Sequence, residues 1–158
     1  MDRARALGGE LIEVHEWLRE SLRRLLADLD AGNAPLPGAA PSLRTRCLGF
    51  CSALASHHTS EDRRAFPVIA AQVPALAPVL AELERDHQLV AGILRRVEEI
   101  AAGFGTASAP ALRSELGGLA AVLESHFRWE ERRLVTALDA LDQPGGTAAG
   151  LFGSPADR

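Results

Sequence analysis

Residues 51–67 read CSALASHHTSEDRRAFP, and the spacing within and just before this stretch decides the fold. Leu43, Cys47, Phe50 and Leu54 recur at steps of three and four, the period of one helix face. His57, Glu61 and Ala65 carry the same face onward without a break. An inward stripe is normally Leu, Val or Ala. Here it turns polar for about a turn and then becomes apolar again. Ser42 can cap the start of this helix. Pro67 lacks an N–H and crowds the preceding turn, so the helix ends or kinks near Phe66, with a short turn continuing to Gln72.

The same pattern appears three more times. A first helix runs from about Ala4 to Ala31, with Leu7, Leu11, Val14, Leu18, Leu22, Leu25 and Leu29 inward and His15 beside them. Pro74 and Pro78 mark the opening of a third helix, whose stripe is Leu76, Leu80, Leu83, His87, Val90, Leu94, Val97 and Ala101. Pro110 suits the first turn of a fourth. Its stripe is Leu112, Leu116, Leu119, Leu123, His126, Glu130, Ala137 and Leu141. Gly32 to Pro41 and Gly103 to Ala109 read as loops. Four long helices with short connections predict an all-α, antiparallel up-down-up-down four-helix bundle over residues 1–142. Residues 143–158, rich in Gly, Pro and Ala, predict a flexible tail.

At about 1.5 Å per residue, His15 lies roughly 25 Å from the end of its helix, and His57 to Glu61 roughly 22–28 Å from the start of theirs. His87 and the His126–Glu130 pair lie at matching depths by the same arithmetic, so all four helices deliver polar groups to one level. Such groups in a dry core are costly unless something satisfies them, and a pair of metal ions would. His57 and Glu61 are four apart, as are His126 and Glu130, so each pair shares a helix face. His58 and Glu61 are three apart. Imidazole nitrogen suits iron, copper, nickel or zinc, and carboxylate oxygen favours harder ions. Mixed nitrogen and oxygen donors with two bridging carboxylates best suit a non-haem di-iron pair, with manganese or zinc as alternatives. The candidate metal ligands are therefore His15, His57, His58, Glu61, His87, His126 and Glu130.

Composition narrows the function further. The chain has 158 residues and a net charge of −4, with acidic and basic residues interleaved. No basic tract marks a nucleic-acid surface. All 17 basic residues are Arg, which reads as codon bias. No run of about 18 apolar residues exists, so no membrane partner is expected, and a cytoplasmic location is the default. The amino terminus lacks the continuous apolar core of a signal peptide. Cys47 and Cys51, four apart on a helix, are unsuited to a disulfide and read as small buried apolar residues. Trp17 and Trp129 read as packing residues. Asp62 and Glu131 are expected at the surface, a bond to a ligand histidine being the functional alternative. Glu84, three before His87, could begin a ferritin-type motif, but helices one and three supply no matching partner set.

The pattern H…HHTSED…H…HFRWEE resembles the hemerythrin-like HHE cation-binding domain in its bacterial form, over Leu7 to about Leu141. That resemblance implies a four-helix bundle around two iron ions with an oxo or hydroxo bridge. One iron would take His15 and His57, the other His58, His87 and His126, with Glu61 and Glu130 bridging. The first iron would keep one open position. Oxygen-carrying members place two histidines four apart on the third helix. Here Ala91 follows His87 at that distance and Leu83 precedes it, and His58 stands in for the absent imidazole. This departure moves the expectation from reversible oxygen carriage toward peroxide, nitric oxide, oxygen sensing or iron handling.

The residues one turn from these ligands, Leu11, Leu18, Leu54, Leu83, Val90, Leu94, Leu123 and Leu134 with Ala91 and Ala137, form an apolar jacket with no evident cleft for an organic substrate. The expected partners are small molecules: dioxygen, nitric oxide or hydrogen peroxide. The leading expectation is a di-iron protein that binds or turns over these species, for instance as a catalase- or peroxidase-like oxidoreductase. A non-enzymatic oxygen or iron sensor, store or carrier is the alternative. A di-iron oxidase or oxygenase acting on an external substrate is a third.

Overall fold

The computed structural model describes residues 6–32, 40–103, 108–142 and 148–153. Four long helices carry most of the chain: α1 (Leu7–Asp30), α2 (Ala40–Ser60), α4 (Ala77–Ala102) and α5 (Ala109–Asp139). Two short ones accompany them, α3 (Phe66–Gln72) and α6 (Ala148–Phe152). Among the described residues there is no strand. No described helix is long and apolar enough to cross a membrane.

The long helices close a ring in which α1 packs on α5 and α2, and α4 packs on α5 and α2. Polar pairs mark how α1 and α5 lie together. The Gly8 N–H donates to Asp139 at 2.8 Å, Arg19 meets Glu124 at 2.9 Å and Arg113 meets Asp30 at 2.6 Å. Gly8 permits the first of these, since a Cβ there would come within 2.7 Å of Val135 and of Asp139. Arg46 pairs with Asp28 where α2 starts beside the end of α1. Arg96 of α4 meets Glu115 of α5 at 3.3 Å.

The apolar core comes in two separate blocks. One contains Leu18, Leu22, Leu25, Phe50, Leu54, Val90, Leu94, Leu116 and Leu123. The other contains Leu11, Ala65, Phe66, Ile69, Leu83, Leu134, Leu138, Leu151 and Phe152. On every long helix the polar residues fall between the two blocks: His15 between Leu11 and Leu18, His87 between Leu83 and Val90, His126 and Glu130 between Leu123 and Leu134. Each buried Leu contributes about 1.5–3 kcal/mol, so the two blocks hold the rods in register while the layer between them remains polar.

Two features depart from the sequence-based expectation. Between α2 and α3 the chain makes a π turn, Glu61–Ala65, in which the Phe66 N–H bonds to the Glu61 carbonyl. Pro67 explains its position. With no N–H to give to Arg63, the helix absorbs the loss by widening one turn, and then continues to Gln72. The kink foreseen near Phe66 is thus a bulge. The second departure is the tail. Residues 143–147 and 154–158 lie outside the described residues. Ala148–Phe152, expected to be flexible, is helical, and Leu151 and Phe152 are buried. The reason is the apolar Leu-Phe pair itself, which closes the end of the second block. The foreseen loops 32–41 and 103–109 fall largely outside the described residues. α2 begins at Ala40, so Ser42 lies within its first turn and does not precede it.

Candidate metal centre

All seven candidate ligands are buried, none more than 5% exposed, and they meet in the polar layer. Two groups form. His15, His57, Glu61 and Glu130 bring one donor atom each to within 4.8 Å of one another, and His58, Glu61, His87 and His126 do the same. Each helix contributes through the spacing read from the sequence. The π turn begins at Glu61, three residues after His58.

The carboxylates lie between the two nitrogen sets. Glu130 turns one oxygen toward His15 Nε2 at 3.3 Å and the other toward His126 Nε2 at 3.1 Å. Glu61 Oε1 is 3.4 Å from both His57 Nε2 and His87 Nε2. All four carboxylate oxygens, and His58 Nε2, are buried without a hydrogen-bond partner. A buried polar atom left in that state costs about 1–3 kcal/mol, so five of them together are a large charge against the fold unless a cation takes them.

The outer nitrogens explain which ring atom faces inward. His15 Nδ1 lies 2.6 Å from Glu131, His87 Nδ1 2.7 Å from Asp62, and His126 Nδ1 3.1 Å from Asp86. His57 Nδ1 donates to the Phe152 carbonyl at 2.6 Å. Bonds of this kind hold the proton on Nδ1 and aim the Nε2 lone pair at the centre. The carboxylates follow a cyclic rule. Each lies next in sequence to a candidate ligand on its own helix, yet serves a ligand on the next helix of the ring. Asp62 after Glu61 serves α4, Asp86 of α4 serves α5, and Glu131 of α5 serves α1. Asp62 and Glu131, expected at the surface, are half-buried and engaged. Asp86 was not foreseen; its signal was its place beside His87. Glu84 is exposed, which removes the ferritin-type motif.

Inside, His15 Nε2 and His57 Nε2 are 3.2 Å apart, and so are His87 Nε2 and His126 Nε2. At that distance two bare lone pairs would repel, and a proton or a metal ion between them relieves the repulsion. This spacing is also the distance between donors that share one ion at bonds of about 2.1 Å and near right angles. Protonation reflects the same crowding. Burial pushes His57 down to about 3 and His58 well below the usual range, helped in each case by neighbouring imidazoles. Burial, with the Glu130 charge beside it, drives Glu61 well up. For Glu130 burial works the other way from its surroundings, and Glu61, His126, His15 and His87 together hold it well down. Burial also opposes a charge on His87, but Asp62, Glu130 and Glu61 outweigh it and lift His87 to about 11. Protons thus stand where positive charge is wanted, and a cation would displace them. The donor set, its orphaned oxygens and its nitrogen spacing fit a metal pair.

Residues 9–138 match the hemerythrin HHE cation-binding domain. The chain belongs to this family. No curated protein and no solved structure matches the chain. The matched segment runs from the start of α1 to the end of α5 and contains all seven candidate ligands.

Around the centre, Phe127 stacks on His15 with ring centroids 3.9 Å apart, and Phe66 lies against His87 at 5.6 Å. Neither was foreseen, although Phe127 follows His126 directly. The leucines and Val90 of the foreseen jacket are buried, while Ala91 and Ala137 are half-buried. Cys47 and Cys51 are both buried free thiols in the first apolar block. Trp17 and Trp129 pack against the two blocks as expected. A recess of about 180 Å³ reaches the centre beside His58, Asp62, His87 and Ala91. It is smaller than the roughly 300–1,000 Å³ of typical small-molecule sites.

Proposed function

We propose that this hemerythrin-family protein holds two iron ions and uses them to bind or turn over small oxygen and nitrogen species. In this reading His15 and His57 hold one ion, His58, His87 and His126 hold the other, and Glu61 and Glu130 bridge. The observation that carries it is the pair of buried carboxylates whose four oxygens have no donor and which stand between two sets of inward nitrogens. We read the scaffold as an antiparallel up-down-up-down four-helix bundle. In support, α1 meets α5 start-to-end at Gly8–Asp139 and end-to-start at Asp30–Arg113.

Bound iron would supply redox change and an open position for a small ligand. The chain supplies the rest. Asp62, Asp86, Glu131 and the Phe152 carbonyl orient the imidazoles, and the leucine jacket excludes bulk water. The recess beside Ala91 has room for molecules the size of dioxygen, nitric oxide or peroxide, and it borders His58 and His87 of the second ion, not the open position beside His15 and His57. An external organic substrate fits poorly in that volume, which disfavours an oxygenase.

The test is anaerobic loading with ferrous iron, followed by metal analysis and stopped-flow spectra on mixing with dioxygen, nitric oxide and peroxide separately. About two irons per chain and a fast optical change with at least one of the three are expected. Oxygen release from peroxide would assign turnover, and a reversible oxygen spectrum would assign binding. Uptake no greater than that of a variant lacking Glu61 and Glu130 would overturn the reading.

A further inference from the structure

We propose that the carboxy-terminal segment Ala148–Gly153 is a strap that completes one of the two metal sites, the one built on His15 and His57, while the other site is independent of it. The inference rests on the dinuclear reading above. The strap lies beyond residues 9–138, the part of the chain that matches the family. It nevertheless reaches the centre.

The outer carboxylates run in a cycle around the four long helices. Three of the four links in the ring are acidic side chains, each adjacent to a candidate ligand and each serving the next helix. The fourth link would run from α1 to α2, and the residue placed for it is Glu16, beside His15. Glu16 is largely exposed and bonds to Arg19 at 2.6 Å within its own helix. His57 would therefore have no outer acceptor from the ring. The Phe152 carbonyl takes that place at 2.6 Å, in a buried bond. A carbonyl only accepts, so this bond fixes the proton on Nδ1 and leaves the Nε2 lone pair facing His15 and the carboxylates.

The strap is built for close approach. Gly153 has φ +85°, and a Cβ there would stand 3.2 Å from His57 Cα and 3.3 Å from His57 N. Backbone thus lies directly on backbone. Leu151 and Phe152 anchor the strap in the second apolar block. The gap left among Phe152, Gly153, His57 and Trp17 is about 10 Å³, room for one water at most. In the second site His87 and His126 have outer acceptors of their own, Asp62 and Asp86. The strap residues are positioning residues: they act on the metal through His57.

The experiment compares the full chain with Gly153→Ala and Gly153→Val, and with a chain ending at Gln143. Each is loaded anaerobically with ferrous iron. Readouts are iron per chain, the rate of iron removal by a ferrous chelator, the optical spectrum, and the melting temperature of the iron-free form. Losing an outer partner of a ligand histidine typically costs about 10–100-fold in affinity. Gly153→Ala should therefore release one of two ions at least about tenfold faster, with the other unchanged. Gly153→Val and the shortened chain should fall from about two irons to about one. Combining Gly153→Val with His57→Leu should cause no further loss, since both act on one site. A lower melting temperature with both ions kept at the parent release rate would make the strap a packing element only and overturn the proposal. Loss of both ions in step would also overturn it. If the unaltered chain itself takes up no iron, the dinuclear reading is what has failed.

Discussion

Glu61→Gln separates a metal ligand from an ordinary core ion pair. Glu61 is fully buried, with both oxygens unpartnered and one lying 3.4 Å from two imidazole nitrogens. Burial and the Glu130 charge keep its carboxyl protonated well above the usual range. In the iron-free protein the change therefore replaces a carboxyl biased toward its neutral form with a neutral amide of the same shape. Its cost should stay within about 1 kcal/mol, the scale of one net hydrogen bond. If Glu61 instead served as the charged partner of His57 and His87, removing it would strand buried charge and cost about 3–5 kcal/mol. Iron reverses the comparison. At a thousandfold excess over its dissociation constant, an ion binding only the folded state adds about 4 kcal/mol, and Glu61 faces both nitrogen sets. The variant should lose that gain. The assay is urea unfolding by circular dichroism, with and without anaerobic ferrous iron. An iron-free variant weakened by more than about 3 kcal/mol, together with a parent-like gain on loading, would refute the reasoning.

Other perturbations should behave as follows. Asp62→Asn, Asp86→Asn and Glu131→Gln should each weaken iron binding by about 10–100-fold in competition with a chelator, while leaving helix content by circular dichroism unchanged. His58→Leu should lower the iron content or alter the optical spectrum, because His58 Nε2 is otherwise an unpartnered buried atom. Stability of the iron-free form should peak near pH 6.5. With His57 held down to about 3 and His58 also low, the unfolded chain binds more protons below 6.5, so acid destabilises. Glu61, raised, offsets one of these two groups over part of that range. Above 6.5, His87 keeps its proton to about 11 while the unfolded chain releases its own, so stability falls again as pH rises. Urea midpoints across pH check the shape, and a flat profile would contradict it. Leu116→Ala, in the first apolar block, should cost about 2–5 kcal/mol without changing iron stoichiometry, which metal analysis of the folded fraction would verify.

The helices and the seven inward polar residues were legible because they obey one period. A histidine that takes the place of a leucine every third or fourth residue is visible without any tertiary knowledge. What escaped the sequence depends on relations between helices. Asp86 stands beside His87 but serves His126, so its place in the sequence marks it without showing which imidazole it holds. The family pattern likewise gave no hint of α6, where the small residues around Leu151 and Phe152 concealed an apolar anchor. Pro67 announced a disturbance, but its form, a widened turn and not a stop, depends on α3 having its own face to bury through Phe66 and Ile69.

That widened turn has a consequence for how this chain can change length. Inserting or deleting a residue in a regular helix rotates everything beyond it by about 100°. The Glu61–Ala65 loop of backbone already contains such an offset, and the phase of Phe66 and Ile69 is set with it in place. Excising one residue there would restore an ordinary pitch with Phe66 and Ile69 near their present facing, but it would seat Pro67 in a plain turn, crowding the carbonyl four residues before it. A single deletion between 61 and 65 should therefore disturb the proline's turn and not the facing of α3, whereas one inside α4 or α5 would rotate everything beyond it by about 100°.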